Sequence, residues 1–249
     1  MARDFDGVDD IVTLGAGGVL NDMLPFTFCA WMAPDTVGES ATGNIVAKHS
    51  GGGSATSGGW YLRTQNTVTV SFVRRYLSNN LIRNWSILTL TDGTYHHVGL
   101  TWNGSQSSTA ATAMELYVNG VTALLTLTQT GRGAFQTDSA WTLALGNPVP
   151  TNASFDGRLA HVHLFRRQLS GNEIRALMFH PAMYAQGSVS AVNTVGLVGY
   201  WPLGGLGSPE PDLSGNQIPG VVTGAVYSAQ EAPVNDTFVV AAPQMGYAS

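Results

Sequence analysis

One cysteine, Cys29, stands in the chain of 249 residues, so no disulfide can close within it and the fold must rest on its own core. Lysine is as scarce: Lys48 is the sole one, and every other basic side chain is arginine. Charged residues make up only 11%, and the net charge of −5 is spread without acidic or basic runs. That distribution gives no electrostatic footprint for nucleic acid or for an anionic membrane. No stretch of eighteen apolar residues is present, as a spanning helix would require. The opening Met-Ala-Arg-Asp-Phe-Asp-Gly lacks the apolar stretch of a secretory signal, which predicts a protein made in a cytosol and kept there or released by lysis. Hydrolase signatures of the Gly-x-Ser-x-Gly and His-Glu-x-x-His types are missing too.

What the chain has in quantity is turn chemistry: 30 glycines and 11 prolines. Between the turn clusters lie short β-rich runs, the pattern of an all-β protein, and the length suits one sandwich without a second domain. Strands are expected at 25–34, 44–49, 60–63, 67–74, 85–90, 95–102, 114–118, 121–128 and 141–147. The glycine-rich 50–59 segment reads as a loop tip, since a phosphate-binding loop would need a following Lys-Ser/Thr and a helix. Asn119-Gly120 is a hairpin turn. Ser170 and Glu173 have the spacing of a capping box, predicting a short helix over 171–179 that stops before Pro181. His96 and His97 are adjacent on a strand and point to opposite faces, so they cannot chelate one ion together; His96 is expected inward on a backbone partner.

Several of these runs carry a resemblance. "LVGYWPL" at 197–203, "DLSGN" at 212–216, "FDGVDDIV" at 5–12, "YHHVGLTW" at 95–102, "LYVNG" at 116–120 and the strand-to-helix stretch 155–174 resemble the laminin-G-like, concanavalin-A-like jelly-roll modules. The resemblance covers about 3–227 and implies an all-β, two-sheet antiparallel jelly-roll sandwich with one short helix, leaving 228–249 as a C-terminal tail or arm. In that family the Trp201 segment usually comes first and runs into the Phe5 segment. The order here therefore implies a circular permutation, cheap where chain ends meet at neighbouring strands. Where the family often has Asp-Glu, this chain has Ala160-His161.

Site expectations follow from residue chemistry and from the resemblance. Asp6, Asp9 and Asp10 cluster in a turn, and Asp156-Gly157 marks the family's partner loop, which makes Asp6, Asp10 and Asp156 candidate calcium ligands; the alternative is that these aspartates only cap turns. Trp60, Tyr61, Tyr76 and Trp85 lie near loop ends where their rings could stack on a glycan, while Trp31, Trp102, Trp141 and Trp201 read as core. Catalysis of the glycoside hydrolase kind needs paired carboxylates, and the Glu210-Pro-Asp212 run lacks the third member of a Glu-x-Asp-x-Glu strand. The expectation is a protein that is not an enzyme. Its sequence is similar to bacteriophage structural proteins, so the resemblance implies a virion module: capsid decoration, head fibre or tail-associated subunit. Its partners would be a capsid or tail protein or copies of itself in a homo-oligomer, with the tail 228–249 making much of the contact. A carbohydrate-binding lectin is the alternative.

Overall fold

A computed structural model describes residues 1–49, 58–66, 69–86, 93–106, 113–148, 153–182 and 192–234. Two antiparallel sheets of eight strands face each other, as the alternation of short strands and turns requires. The first runs β10 (Val121–Thr122), β9 (Met114–Val118), β8 (His96–Trp102), β3 (Phe26–Pro34), β13 (Asp156–Phe165), β1 (Ala2–Asp6) and β16 (Val226–Ser228), with β14 (Leu197–Trp201) also on β13. The second runs β11 (Leu124–Gln129), β7 (Leu81–Ser86), β6 (Thr69–Arg74), β5 (Gly59–Gln65), β4 (Thr42–His49), β12 (Leu143–Leu145), β2 (Ile11–Gly15) and β15 (Val221–Thr223).

The jelly-roll expectation is met, with local differences. The strand expected at 85–90 runs over Leu81–Ser86 instead, because Leu81, Arg83 and Trp85 supply an inward face opposite Arg74, Phe72 and Val70; 87–92 lie outside the described residues, as does the 50–57 loop. The run 121–128 is split at Ala123: β10 stays with β9 in the first sheet and β11 pairs with β7 in the second. Asn119 and Gly120 take φ of 50° and 76°, the left-handed pair such a hairpin turn needs.

Between the sheets, Phe26 packs on Trp60 with centroids 4.6 Å apart and on Trp102 at 5.7 Å, and Phe72 meets Trp102 at 5.7 Å. Basic side chains share this interior. Lys48 and Arg74 flank Trp60 in register and converge on the buried Asp138, at 3.7 and 2.7 Å. Arg83 donates to the Met114 carbonyl at 2.8 Å, linking one sheet to the other. Burial of such ions is tolerable only when they are paired and hydrogen-bonded.

The long strand β13 organises the first sheet. One edge pairs with β3 throughout; the other takes β1 along Asp156–Leu159 and then β14 along Val162–Phe165. A bulge separates the two, where His161 has φ 49° and its N–H reaches the Pro202 carbonyl at 3.0 Å. Outside this sheet lies the helix α1 (Gly171–Phe179), its capping box complete: the Ser170 side chain accepts from Glu173 N and the Glu173 carboxylate from Ser170 N at 2.9 Å. Ile174 sits so close to Gly99 that a Cβ there would lie 2.8 Å from Ile174 Cγ2. Ala232, within the expected tail 228–249, is buried against Ala2, Trp31, Ala160 and Met178. Residues 235–249, and with them the apolar run 238–242, lie outside the described residues.

Candidate functional site

Strand alternation decides the fate of the aromatic candidates. Trp60 and Trp85, 0% and 1% exposed, point into the core, and Tyr76 is buried with its ring on Phe135 at 6.3 Å. None of the three can offer a ring to a ligand, which corrects the expectation for them. Tyr61 follows Trp60 and therefore faces outward; its half-buried ring stands on the outer face of the second sheet.

The register carries Tyr61 in a row across that face, from Thr13 through Ala144 and Ala47 to Tyr61, Val73 and Ile82. The adjacent row holds Asn44, Arg63, Ser71 and Asn84. Where the two rows meet His49 and Arg75, a polar cleft of about 210 Å³ opens, lined by Thr42, Asn44, His49, Tyr61, Arg63, Arg75 and Ala153. The His49 ring packs on Tyr61 at 4.7 Å, and the Arg63 guanidinium carbon lies 5.2 Å from the Tyr61 ring centre on its other contact. Asn44 is tied to Ala153 by its backbone N–H at 2.8 Å and its side-chain amide at 3.1 Å. Burial holds His49 down to about 3, with the Arg75 and Arg63 charges adding to the effect; it is neutral at pH 7. Several buried polar atoms on this face have no hydrogen-bond partner: Asn44 Oδ1, Arg63 Nε, Ser71 Oγ and Asn84 Oδ1. In folded proteins such atoms are few and call for an explanation.

Sequence reading missed His49, Arg63 and Arg75. The signal was available for Arg63: with Trp60 and Leu62 inward, Tyr61 and Arg63 must share the opposite face.

Two other places gather chemistry. The ligand oxygens of Asp6, Asp9 and Asp10 lie within 4.8 Å of one another. Asp10 is buried and accepts from Asp6 N at 2.9 Å, while Asp6 accepts from Val8 N. Burial raises the Asp10 pKa, the bond from Asp6 N opposes it, and the Asp6, Asp9 and Asp4 charges add to the rise. Asp156 pairs with Asp6 in the sheet but is not in that cluster; its carboxylate accepts from the Thr36 hydroxyl at 2.5 Å. Calcium takes six to eight oxygens, and two of the carboxylates here already serve the turn's own N–H groups.

A larger cleft of about 630 Å³ lies among Met1, His161, Gly205, Glu210, Glu231 and Val234. Its carboxylate Glu210 is fully buried and spoken for, 2.5 Å from Arg3 Nε and accepting from Gly205 N at 3.2 Å. His161 Nδ1 lies 2.9 Å from the Tyr200 hydroxyl, and burial with the nearby amino terminus brings its pKa down to about 4. Of the adjacent histidines, His97 is buried and His96 half-buried; the His96 ring contacts the Thr94 and Asn119 side chains at 3.3 and 3.4 Å. Among the described residues no helix is long and apolar enough to cross a membrane.

Comparison with known proteins places this architecture. No curated protein matches the sequence. Among solved structures, a candidate carbohydrate-binding protein from Bacteroides ovatus superposes with a TM-score of 0.59 at 18% identity, covering 94% of this chain and 60% of its own. The chain thus spans less than two thirds of that protein's length. Tailspike protein 2 of the Escherichia coli O157:H7 bacteriophage CAB120 superposes with a TM-score of 0.52 at 14% identity, over 80% of this chain and 26% of its own. At such identities both show a shared fold. The model of a laminin-G family described as the concanavalin A-like lectin/glucanases superfamily matches residues 6–175, well over half of the sequence, and the chain belongs to that family.

Proposed function

We propose that this protein is a non-catalytic carbohydrate-binding module whose site is the cleft on the outer face of the second sheet. The observation that carries the reading is the Tyr61 ring set among Asn44, His49, Arg63 and Arg75 on paired strands: a flat apolar surface beside fixed hydrogen-bonding groups suits a sugar ring, and strands hold such groups more rigidly than loops do. Its size fits about one ring, below the roughly 300–1,000 Å³ of pockets for larger ligands. Among the described residues no carboxylate lines it, whereas glycoside hydrolysis uses a pair. The candidate carbohydrate-binding protein of Bacteroides ovatus shares the fold, which is compatible with the same reading. A glycan array probed with the full chain and with Tyr61→Ala tests it: the wild type binds and the folded variant loses the signal. Equal binding by both moves the site elsewhere, and no binding by either withdraws the reading.

A second reading, assembly into a virion on a capsid or tail protein or with copies of itself, draws on β11. This edge strand bears exposed Leu124, Leu125 and Leu127 and no charged residue, whereas isolated proteins usually protect such edges with charge. The bacteriophage tailspike's shared fold is compatible with it. Recovery of the chain on particles from a producing host supports this reading, and its absence from them removes it. The circular permutation belongs here as well. It is supported by β1 and β14 sharing one edge of β13 and by Ala2 standing opposite Ser228 on β16. A protein rejoined across those ends and reopened at 192–196 should fold to the same stability. For domain organisation we retain one module over 1–227 and a C-terminal tail or arm over 228–249, part of which packs on the first sheet through Ala232. Calcium at Asp6, Asp9 and Asp10 predicts a higher melting temperature in millimolar calcium than after EDTA; equal temperatures remove it.

A further inference from the structure

The outer face of the first sheet keeps histidines under a cover. Along β8, alternation turns Val98 into the core and His97 and Gly99 outward. There Ile174 of α1 lies over Gly99, and the His97 ring meets the Trp31 ring edge-on at 5.3 Å. The Trp31 indole N–H donates to the Met178 carbonyl at 3.2 Å, and Met178 and Ala232 pack on Trp31 with Ala2 and Ala160. On the neighbouring β13, His161 and His163 stand around the Tyr200 ring.

This cover is thin. Its apolar contacts form two small clusters apart from the main core. Residues 229–234 are held by Ala232 and by the Tyr95 hydroxyl, which donates to the Gln230 carbonyl at 3.0 Å. Elements attached by few buried contacts open at lower free energy than core strands do.

His97 is 1% exposed, and its Nδ1 has no hydrogen-bond partner among the described residues. A neutral ring is tolerated in that place. An imidazolium carries a donor on both nitrogens, so charging the ring would leave the Nδ1 N–H without an acceptor and away from water. Among the described residues, the carboxylates of the surrounding elements are engaged elsewhere. Glu115 accepts from the Tyr117 hydroxyl at 2.7 Å, Glu173 serves Ser170 and Arg167, and Glu231 lies 3.8 Å from the Met1 amino group. Asp4 stands opposite Arg158, which also pairs with Asp35. Arg175 donates to the Gly120 carbonyl, His96 and His180 complete the imidazoles nearby in sequence, and burial pushes the Cys29 thiol and the Tyr117 hydroxyl up, out of the acid range. Of all these groups, His161 is the one whose charge bears on His97, and it opposes protonation.

We propose that α1 and residues 229–234 form an acid-released cover: charging His97 requires lifting Met178 and Ala232 from Trp31, so acid opens the outer face of the first sheet while the sandwich behind it stays closed. This goes beyond the glycan reading and is independent of it, because the Tyr61 cleft belongs to the other sheet. Burial holds His97 down to about 3 in the closed form, against 6.5 for a ring in water. The open form therefore binds more protons between those values; closure is full above 6.5 and weakens as pH falls toward 3. One such ring shifts the opening equilibrium by up to about tenfold per pH unit.

The test is hydrogen–deuterium exchange of the full chain, read peptide by peptide, with each rate divided by that of an unstructured peptide at the same pH. Between about pH 6 and pH 4, protection in α1 and 229–234 should fall at least about 50-fold, while β3 and β6 stay protected. His97→Gln, which remains neutral, should reduce that fall by about tenfold or more. Protection of α1 that is the same at both pH values overturns the proposal, as does a loss that reaches β3 and β6 together with α1. An unchanged fall in a folded His97→Gln overturns it too. The wild-type comparison decides the matter alone if that variant does not fold.

Discussion

The outer face of the first sheet is roofed: α1 and residues 229–234 lay Ile174, Met178 and Ala232 over Cys29, Trp31 and Ala160. Under that roof the polar groups are kept neutral. Burial holds His97 and His163 near 3 and His161 near 4, and His163 stacks flat on Tyr200 at 4.4 Å while its Nε2 donates to the Pro181 carbonyl at 3.0 Å. The outer face of the second sheet has no such helix among the described residues, and it carries two arginines and a tyrosine around a cleft. The same kind of surface, one strand-side of a pleated sheet, is covered in one case and in the other left open around a polar cleft. Unpartnered polar atoms occur on both faces, His97 Nδ1 under the roof and Ser71 Oγ and Asn84 Oδ1 on the open one, so it is the open cleft around Tyr61 that points to a ligand.

Breaking the anchors of the second sheet should have the largest effect. Asp138→Ala leaves Lys48 and Arg74 buried without their counter-ion and is expected to cost about 3–5 kcal/mol in denaturant unfolding. Stripping the roof comes next: Ile174→Ala opens a cavity over Gly99 and should cost about 2–4 kcal/mol. Removing its cap with Ser170→Ala should cost about 1 kcal/mol.

Acid sharpens the comparison. His97 and His163 ordinarily titrate at 6.5 but are held near 3 in the folded protein. Between those values the unfolded chain binds more protons, so stability is full above 6.5 and declines as pH falls toward 3. A melting series from about pH 7 to 4 should show that decline, and His97→Gln should flatten it. A slope unchanged by the substitution would place the acid sensitivity elsewhere. The smallest effect on stability belongs to the open face: Tyr61→Ala and Arg63→Gln should each change unfolding by no more than about 0.5 kcal/mol while weakening the binding.

Local patterns were legible in the sequence where short-range chemistry fixed them. Ser170 and Glu173 are three residues apart and bond to each other, so the helix and its start could be read directly. Asn119-Gly120 specified its turn in the same way. Long-range pairing was not legible: Arg74 meets Asp138 and Arg3 meets Glu210 across 64 and 207 residues, and nothing local announces either partner. The aromatic candidates failed for an intermediate reason. Closeness to a loop end was given more weight than the period-two alternation that sends Trp60 and Trp85 inward and Tyr61 outward. Arg63, two residues beyond Tyr61, was within reach of the same rule. Arg75 and His49 stand at strand ends, where alternation gives no guidance.

The central claim is that the open face of the second sheet is the binding surface, and amide chemical-shift mapping with a glycan that scores on the array tests it most directly. The account predicts that the largest perturbations fall on Asn44, His49, Tyr61, Arg63, Ser71 and Arg75, while the amides of the Asp6–Asp10 turn and of Gly205 and Glu210 stay in place. Perturbations confined to the Asp6–Asp10 turn or to the cleft beside Glu210, with Tyr61 and Arg63 unmoved, would contradict it.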